Sequence, residues 1–127
     1  MMQSNRELLA AAYKAFNARH IDAVLALMQP DVDWPNAMEG RREVGHDNVR
    51  EYWRRQFEML DPHVEPVGFS DVGGRTEVNV HQVVRDLTGR VMVDQMVQHV
   101  YSFRDGLIAR MDIRETNSAV QNPVQRK

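Results

Sequence analysis

Acid–base chemistry near neutral pH falls first to the five histidines of this 127-residue chain, because imidazole is the side chain whose ordinary pKa lies there. His99 is the most telling of them. It sits in "VQHVY", Val97 to Tyr101, inside a long run of alternating apolar residues. That setting admits three roles: a solvent-facing residue, a satisfied core residue, or a pocket group that moves a proton. His81 lies in the apolar-alternating run before it. His46-Asp47 reads most simply as helix-start chemistry, and His20 and His63 read as loop residues. There is no cysteine, which excludes disulfides, thiolate metal sites and a cysteine nucleophile.

The elements that must position these groups are legible from periodicity. From Asn5, apolar residues at Leu8, Leu9, Ala12, Tyr13 and Phe16 form one helical stripe, and Ser4 followed by Glu7 reads as a capping box. A second helix is expected from Ile21 through Met28, ended by Pro30. Asp31 to Pro35 reads as a short strand, and Asn36 to Gly45 as a polar loop. A third helix follows His46-Asp47, with Val49, Tyr52, Trp53, Phe57 and Leu60 on its apolar side and Asp61-Pro62 as its stop. The remainder reads as strand: Val64–Val72, Thr76–Asp86, Val91–Phe103 and Leu107–Thr116. The turns are Gly73-Gly74, Leu87–Arg90 and Arg104–Gly106. The tail 117–127 is expected to be flexible.

Helices followed by an antiparallel meander give an α+β layer architecture, and a curved sheet wrapped by helices can enclose a pocket. Hydrophobic residues are 43% and charged residues 27%, ordinary for a globular protein, and the length suits one domain. A formal charge of −2 offers no basic field for a nucleic-acid backbone. No apolar run approaches the ~18 residues that span a membrane. Charges interrupt the N-terminus before any apolar signal-peptide core, so a cytoplasmic location is expected.

The features "LLAAAYKAFNARHIDAVLALM", "PDVDWP", "GHDNVREYW" and "HVYSFRDGLIARMDI" occur in that order across Asn5 to Glu115. In order and spacing the chain resembles the SnoaL-like proteins of the nuclear-transport-factor-2-like superfamily, over a domain spanning residues 5–116. The resemblance implies a cone-shaped curved antiparallel sheet wrapped by three N-terminal helices and enclosing a pocket, frequently dimeric through the sheet. It does not select a function, since the superfamily holds isomerases, cyclases, epoxide hydrolases, dehydratases and binding modules.

Ketosteroid isomerase is the sharpest comparison within it, with an aspartate base and an oxyanion hole of tyrosine and protonated acid. Laid on this chain, the base falls on Trp34, the oxyanion tyrosine on Ala12 and the acid on His99. Tyr13 is one step off, turned away by about 100° of helix. All three groups differ, so the resemblance does not imply that activity.

The same alignment places His99 inward, and with it Val97, Tyr101 and Phe103, because strand side chains alternate. The hairpin register then expects His81 and Val83 inside, and Met111, Ile113 and Glu115 on the last strand. Phe16, Trp53 and Phe57 are expected from the helices, with Trp34 and Pro35 as wall or lid. His99, His81 and Glu115 are therefore the catalytic candidates: His99 as general base or oxyanion donor, His81 as its acid–base partner, Glu115 orienting an imidazole. Each could instead be structural. The expected ligand is a small apolar or carbonyl-bearing molecule, handled without cofactor or metal.

A facial triad of two histidines and a carboxylate lacks supporting spacing. The aspartate–arginine–aspartate set of an epoxide hydrolase would need Asp94, Arg85 or Arg110, which fall on the opposite strand face unless a one-residue bulge intervenes. That outward face, carrying Gln82, Val84, Met96, Gln98 and Val100, suits a homodimer interface.

Overall fold

The computed structural model describes residues 4–115; the tail expectation for 117–127 lies outside them. The chain begins with α1 (Asn5–Asn17). Glu7 N donates to Ser4 Oγ at 3.1 Å and Ser4 N to Glu7 Oε1 at 3.0 Å, the reciprocal cap that the sequence signals. Leu8, Leu9, Ala12 and Tyr13 form its buried stripe. The second helix, α2 (Ile21–Leu25), is shorter than its apolar spacing suggests. Met28 and Pro30 belong instead to β1 (Met28–Asn36). Pro30, which has no N–H to give a ladder, falls where the β1 pairing shifts register between Met28 and Asp33.

The stretch expected to be one polar loop turns back as β2 (Arg41–Val44), paired antiparallel to β1 from Asp33↔Val44 to Asn36↔Arg41. Its charged residues conceal a strand that is anchored by Arg42. That side chain donates to Asp33 Oδ1 at 2.6 Å, to Asp112 Oδ1 at 3.0 Å and to the Met111 carbonyl at 2.7 Å. Next come α3 (His46–Met59), then β3 (Leu60–Val72), β4 (Arg75–Asp86), β5 (Val91–Arg104) and β6 (Leu107–Glu115). The helix α3 ends at Met59, just before the expected stop at Asp61-Pro62, and both of those residues belong to β3.

The described strands form one sheet in the order β2-β1-β6-β5-β4-β3. It is curved and unclosed, and the helices cover its inner face. The fold is the expected α+β cone with one amendment: β1 runs parallel to β6, so the sheet is mixed. A parallel neighbour needs a long crossover, and everything from β2 to β5 supplies it.

Register decides which side chains face the cone. Val84 pairs with Val93 but Arg85 with Val91, which leaves Met92 as an extra residue on β5. This bulge shifts all pairing beyond it by one. Val78 therefore lies opposite His99, Val80 opposite Val97, and Gln82 opposite Gln95. Even-numbered residues of β4 face inward. The expectation that His81 and Val83 face inward is thus corrected, as is the outward placement of Gln82 and Val84.

The core is built from the inner sheet face and the helices. Trp53, Leu9, Leu25, Met28, Val32, Val49, Val78, Val80 and Ile108 are among its most buried side chains.

Candidate active site

The inner sheet face, α1 and α3 enclose a cavity of about 310 Å³. Tyr13 and Phe16 come from α1, Tyr52, Trp53 and Gln56 from α3, and Trp34 and Pro35 from β1. Ala37 and Met38 reach it from the β1–β2 turn, and His99, Tyr101, Met111 and Ile113 from β5 and β6. The lining contains no Asp, Glu, Lys or Arg among the described residues.

His99 is buried, and its Nδ1 lies 2.7 Å from Tyr13 Oη. Tyr101 Oη donates to Tyr13 Oη at 2.9 Å. With the Tyr13 proton directed at Nδ1, an arrangement that donation from Tyr101 to Tyr13 Oη allows, the imidazole carries its own proton on Nε2. Nε2 makes no hydrogen bond to protein among the described residues. Burial lowers the His99 pKa to about 4, so the ring is neutral at physiological pH. Burial likewise pushes the Tyr13 and Tyr101 phenols above their ordinary range, for Tyr13 with a further contribution from Tyr101. The three rings also pack: Tyr13 lies nearly parallel to His99 with centroids 5.9 Å apart, and Tyr101 stands edge-on to both.

An aromatic wall adjoins this chain. Trp34 meets Trp53 at 88° with centroids 5.5 Å apart, and Phe16 meets Trp53 at 5.4 Å. Phe57 packs on Phe16 and lies beneath the Arg19 guanidinium, 4.4 Å from the ring centroid. That contact keeps it out of the cavity lining, contrary to expectation. Val97 faces inward as expected but lies in the core between the longer Gln95 and His99, so it does not line the cavity either.

Two of the three catalytic candidates stand apart from His99. His81 is on the outer face, its side chain 44% exposed, with Nε2 2.7 Å from Asp94 Oδ1. Val83 shares that face. Glu115 has the inward parity of β6, opposite Val97, yet it is exposed and does not line the cavity. It lies two residues beyond Ile113, which pairs with His99.

The group that sequence reasoning set aside is Tyr13. The buried face of α1 is wide enough to present both Ala12 and Tyr13 to the cavity, and the small Ala12 leaves room for the phenol. A usable signal was present: a tyrosine on a buried stripe needs a polar partner, and His99 was the polar group expected inside. Gln82 was missed because its inward facing depends on the bulge at Met92, whereas Gln95 shares the parity of His99 and follows from alternation along β5.

Elsewhere, Asp33, Arg42, Arg110 and Asp112 form an ion-pair network outside the cavity. Asp94 and Arg85 are exposed too, so among the described residues no aspartate–arginine–aspartate set faces the cavity. No group of three or more histidine or acidic side chains is placed to hold a metal among the described residues. No helix there is long and apolar enough to cross a membrane.

Comparison with known proteins agrees with this architecture. The model of the SnoaL-like domain family matches residues 9–111, and the chain belongs to that family. Among solved structures, TerC co-crystallised with polyporic acid is 29% identical, with a TM-score of 0.77 over 91% of this chain and 93% of that one. A nuclear-transport-factor-2-like protein of unknown function from Burkholderia pseudomallei is 25% identical, with a TM-score of 0.78 over 98% and 100%. A candidate polyketide cyclase from Xanthomonas campestris is 26% identical, with a TM-score of 0.69 over 88% and 90%. No functionally curated protein matches the chain. The family is one of small-molecule binding and cyclase- or isomerase-like proteins.

Proposed function

We propose that this protein binds an uncharged, aromatic, carbonyl-bearing molecule and promotes proton transfer on it without a cofactor, with His99 Nε2–H donating to the carbonyl oxygen. The observation that carries this reading is the hydrogen-bonded series Tyr101–Tyr13–His99 ending at a cavity without charged lining residues. With the Tyr13 proton directed at Nδ1 the imidazole is a donor towards the ligand, and a neutral imidazole polarises a carbonyl without bringing a counter-charge. As an α-carbon–hydrogen bond breaks, its electron pair forms the enol double bond and the carbonyl oxygen gains charge. Nε2–H holds that charge, and the α-proton passes to water. With no carboxylate base in the lining, suitable substrates have C–H bonds that are already acidic, as in aryl ketones that enolise readily and polyketides. The similar structure crystallised with polyporic acid supports a small-molecule ligand in this fold.

The lack of a carboxylate equally favours a second reading, a binding module that holds such a molecule without turning it over. Hydrogen–deuterium exchange separates the two, with 2-tetralone as probe and NMR as readout. Saturable acceleration by the wild type that is lost in His99→Phe supports catalysis. Thermal stabilisation by 2-tetralone without accelerated exchange establishes the binding module instead.

Pairing of two copies through the outer sheet face belongs to the same reading. Met96 there is 37% exposed, although Val100 is buried. Sedimentation equilibrium of the wild type reads the assembly directly: a monomer at micromolar concentration removes the dimer.

A further inference from the structure

The inner face of the sheet is apolar toward the cavity mouth, where Val84, Val93, Leu60, Pro62 and Ile113 line it. Two glutamines interrupt that surface. Gln82 and Gln95 face each other across β4 and β5, and Gln95 Nε2 donates to Gln82 Oε1 at 2.8 Å. An amide has two donor hydrogens and a carbonyl with two lone pairs. Bonding to each other therefore uses only part of their capacity. Whichever way the pair is oriented, one NH2 group and one carbonyl stay open. Both residues line the cavity, and Gln95 lies on the same strand face as His99, four residues away.

We propose that the Gln82–Gln95 amide pair is a second recognition point for the ligand. It selects uncharged aromatic molecules that carry a second hydroxyl or carbonyl at the end opposite the oxygen held by His99. This rests on the proposed reading of His99 and extends it from one polar contact to two. The spacing follows from the strand. Four residues advance roughly 13 Å, and with both side chains standing upright over the strand, subtracting about 3 Å for each hydrogen bond leaves roughly 7 Å between the two ligand oxygens. That is the separation across two fused aromatic rings. The aromatic wall of Phe16, Trp34 and Trp53 would hold the body between them. An amide pair suits a neutral ligand better than a guanidinium or ammonium group would, because it can both donate and accept without imposing a charge.

The test uses 2-naphthol and naphthalene-2,6-diol, both uncharged at pH 7 and differing only in the second hydroxyl. Quenching of Trp34 and Trp53 fluorescence gives the Kd of each. In the wild type the diol is expected to bind about fivefold more tightly, in the range of one net hydrogen bond. In Gln82→Met/Gln95→Met, a near-isosteric change, that ratio is expected to fall to one or below. The single variant Gln95→Met serves if the double variant does not fold, and the wild-type ratio requires no variant. Equal affinities in the wild type, with both ligands weakened by His99→Phe, overturn the second recognition point and leave the role of His99 standing. A preference for the diol that survives both glutamine variants overturns it as well. Failure of both ligands to bind saturably overturns both readings.

Discussion

Tyr13 and His99 stand 86 residues apart in the chain, yet Tyr13 Oη lies 2.7 Å from His99 Nδ1. One bond thus ties α1 to β5 and engages Nδ1, which leaves Nε2 as the nitrogen free to face a ligand. Removing the phenolic hydroxyl in Tyr13→Phe leaves Nδ1 buried without a partner and Tyr101 without its acceptor. A buried unsatisfied polar group costs about 1–3 kcal/mol, and chemical denaturation should show a loss of that size. Imidazole 15N shifts offer a readout that packing alone would not move. The wild type should show a pure Nε2–H tautomer, and Tyr13→Phe a mixture. A pure Nδ1–H form in the wild type would reverse the donor assignment at the cavity.

The neutral state of His99 has a consequence for stability against pH. Its pKa is about 4 in the fold and about 6.5 in an unfolded chain. Between those values the unfolded state binds the extra proton and the folded state does not, so stability is lost as pH falls. The difference corresponds to something on the order of 3 kcal/mol, present above about pH 6.5 and gone by about pH 4. Unfolding curves for wild type and His99→Phe, measured at pH 7 and pH 4, should differ in slope by that amount. Parallel pH dependence would mean that His99 is protonated inside the fold.

The sequence carried the elements well and the facing of one strand poorly. The stripe of α1, the Ser4–Glu7 cap and the glycine turns are local features that appear where their spacing places them, whereas the ends of the second stripe at Met28 and of the third at Leu60 pass into strands. The inward facing of His99, Tyr101 and Met111 follows from alternation along β5 and β6. His81 failed for a nonlocal reason. Continuing the register of the hairpin end, where Arg85 pairs with Val91, would put His81 opposite Gln95 and hence inside. The bulge at Met92 puts it opposite Met96, outside. A one-residue irregularity has no marker in a run such as "RVMVDQMV", where apolar residues occupy both parities. The strand β2 was hidden for another reason: it is short and charged, and Arg42 is anchored by Asp33 across the β1 pairing and by Asp112 on β6, which no apolar pattern shows.

His81 and Glu115 accordingly give a sharp negative expectation. His81→Ala removes an exposed pair with Asp94, and such surface pairs contribute at most about 1 kcal/mol. Glu115→Gln alters an exposed side chain at the end of the described sheet. Neither change reaches the cavity, so 2-tetralone exchange and naphthol binding should match the wild type within twofold. A tenfold loss from His81→Ala would require the outer face to take part in the chemistry, through a second copy or a different register.

The two tryptophans separate packing from recognition. Trp53 is 2% exposed and is held between the edges and faces of Phe16 and Trp34. Its truncation to alanine opens a void in the core, which costs about 3–5 kcal/mol. Trp34 is only partly buried and lines the cavity beside Tyr101. Trp34→Ala forfeits aromatic pair contacts of about 0.5–1.5 kcal/mol each, but it also removes the wall on which an aromatic ligand would lie. The expected pattern is therefore crossed. Trp53→Ala lowers the denaturation midpoint most, whereas Trp34→Ala weakens 2-naphthol binding by about tenfold or more at a smaller stability cost. Binding in Trp34→Ala can be followed through the fluorescence of the naphthol itself, so the loss of one tryptophan does not blind the assay. If Trp34→Ala binds 2-naphthol as the wild type does, the ligand does not rest on that wall, and the cavity would have to be entered from the side of Met111 and Ile113.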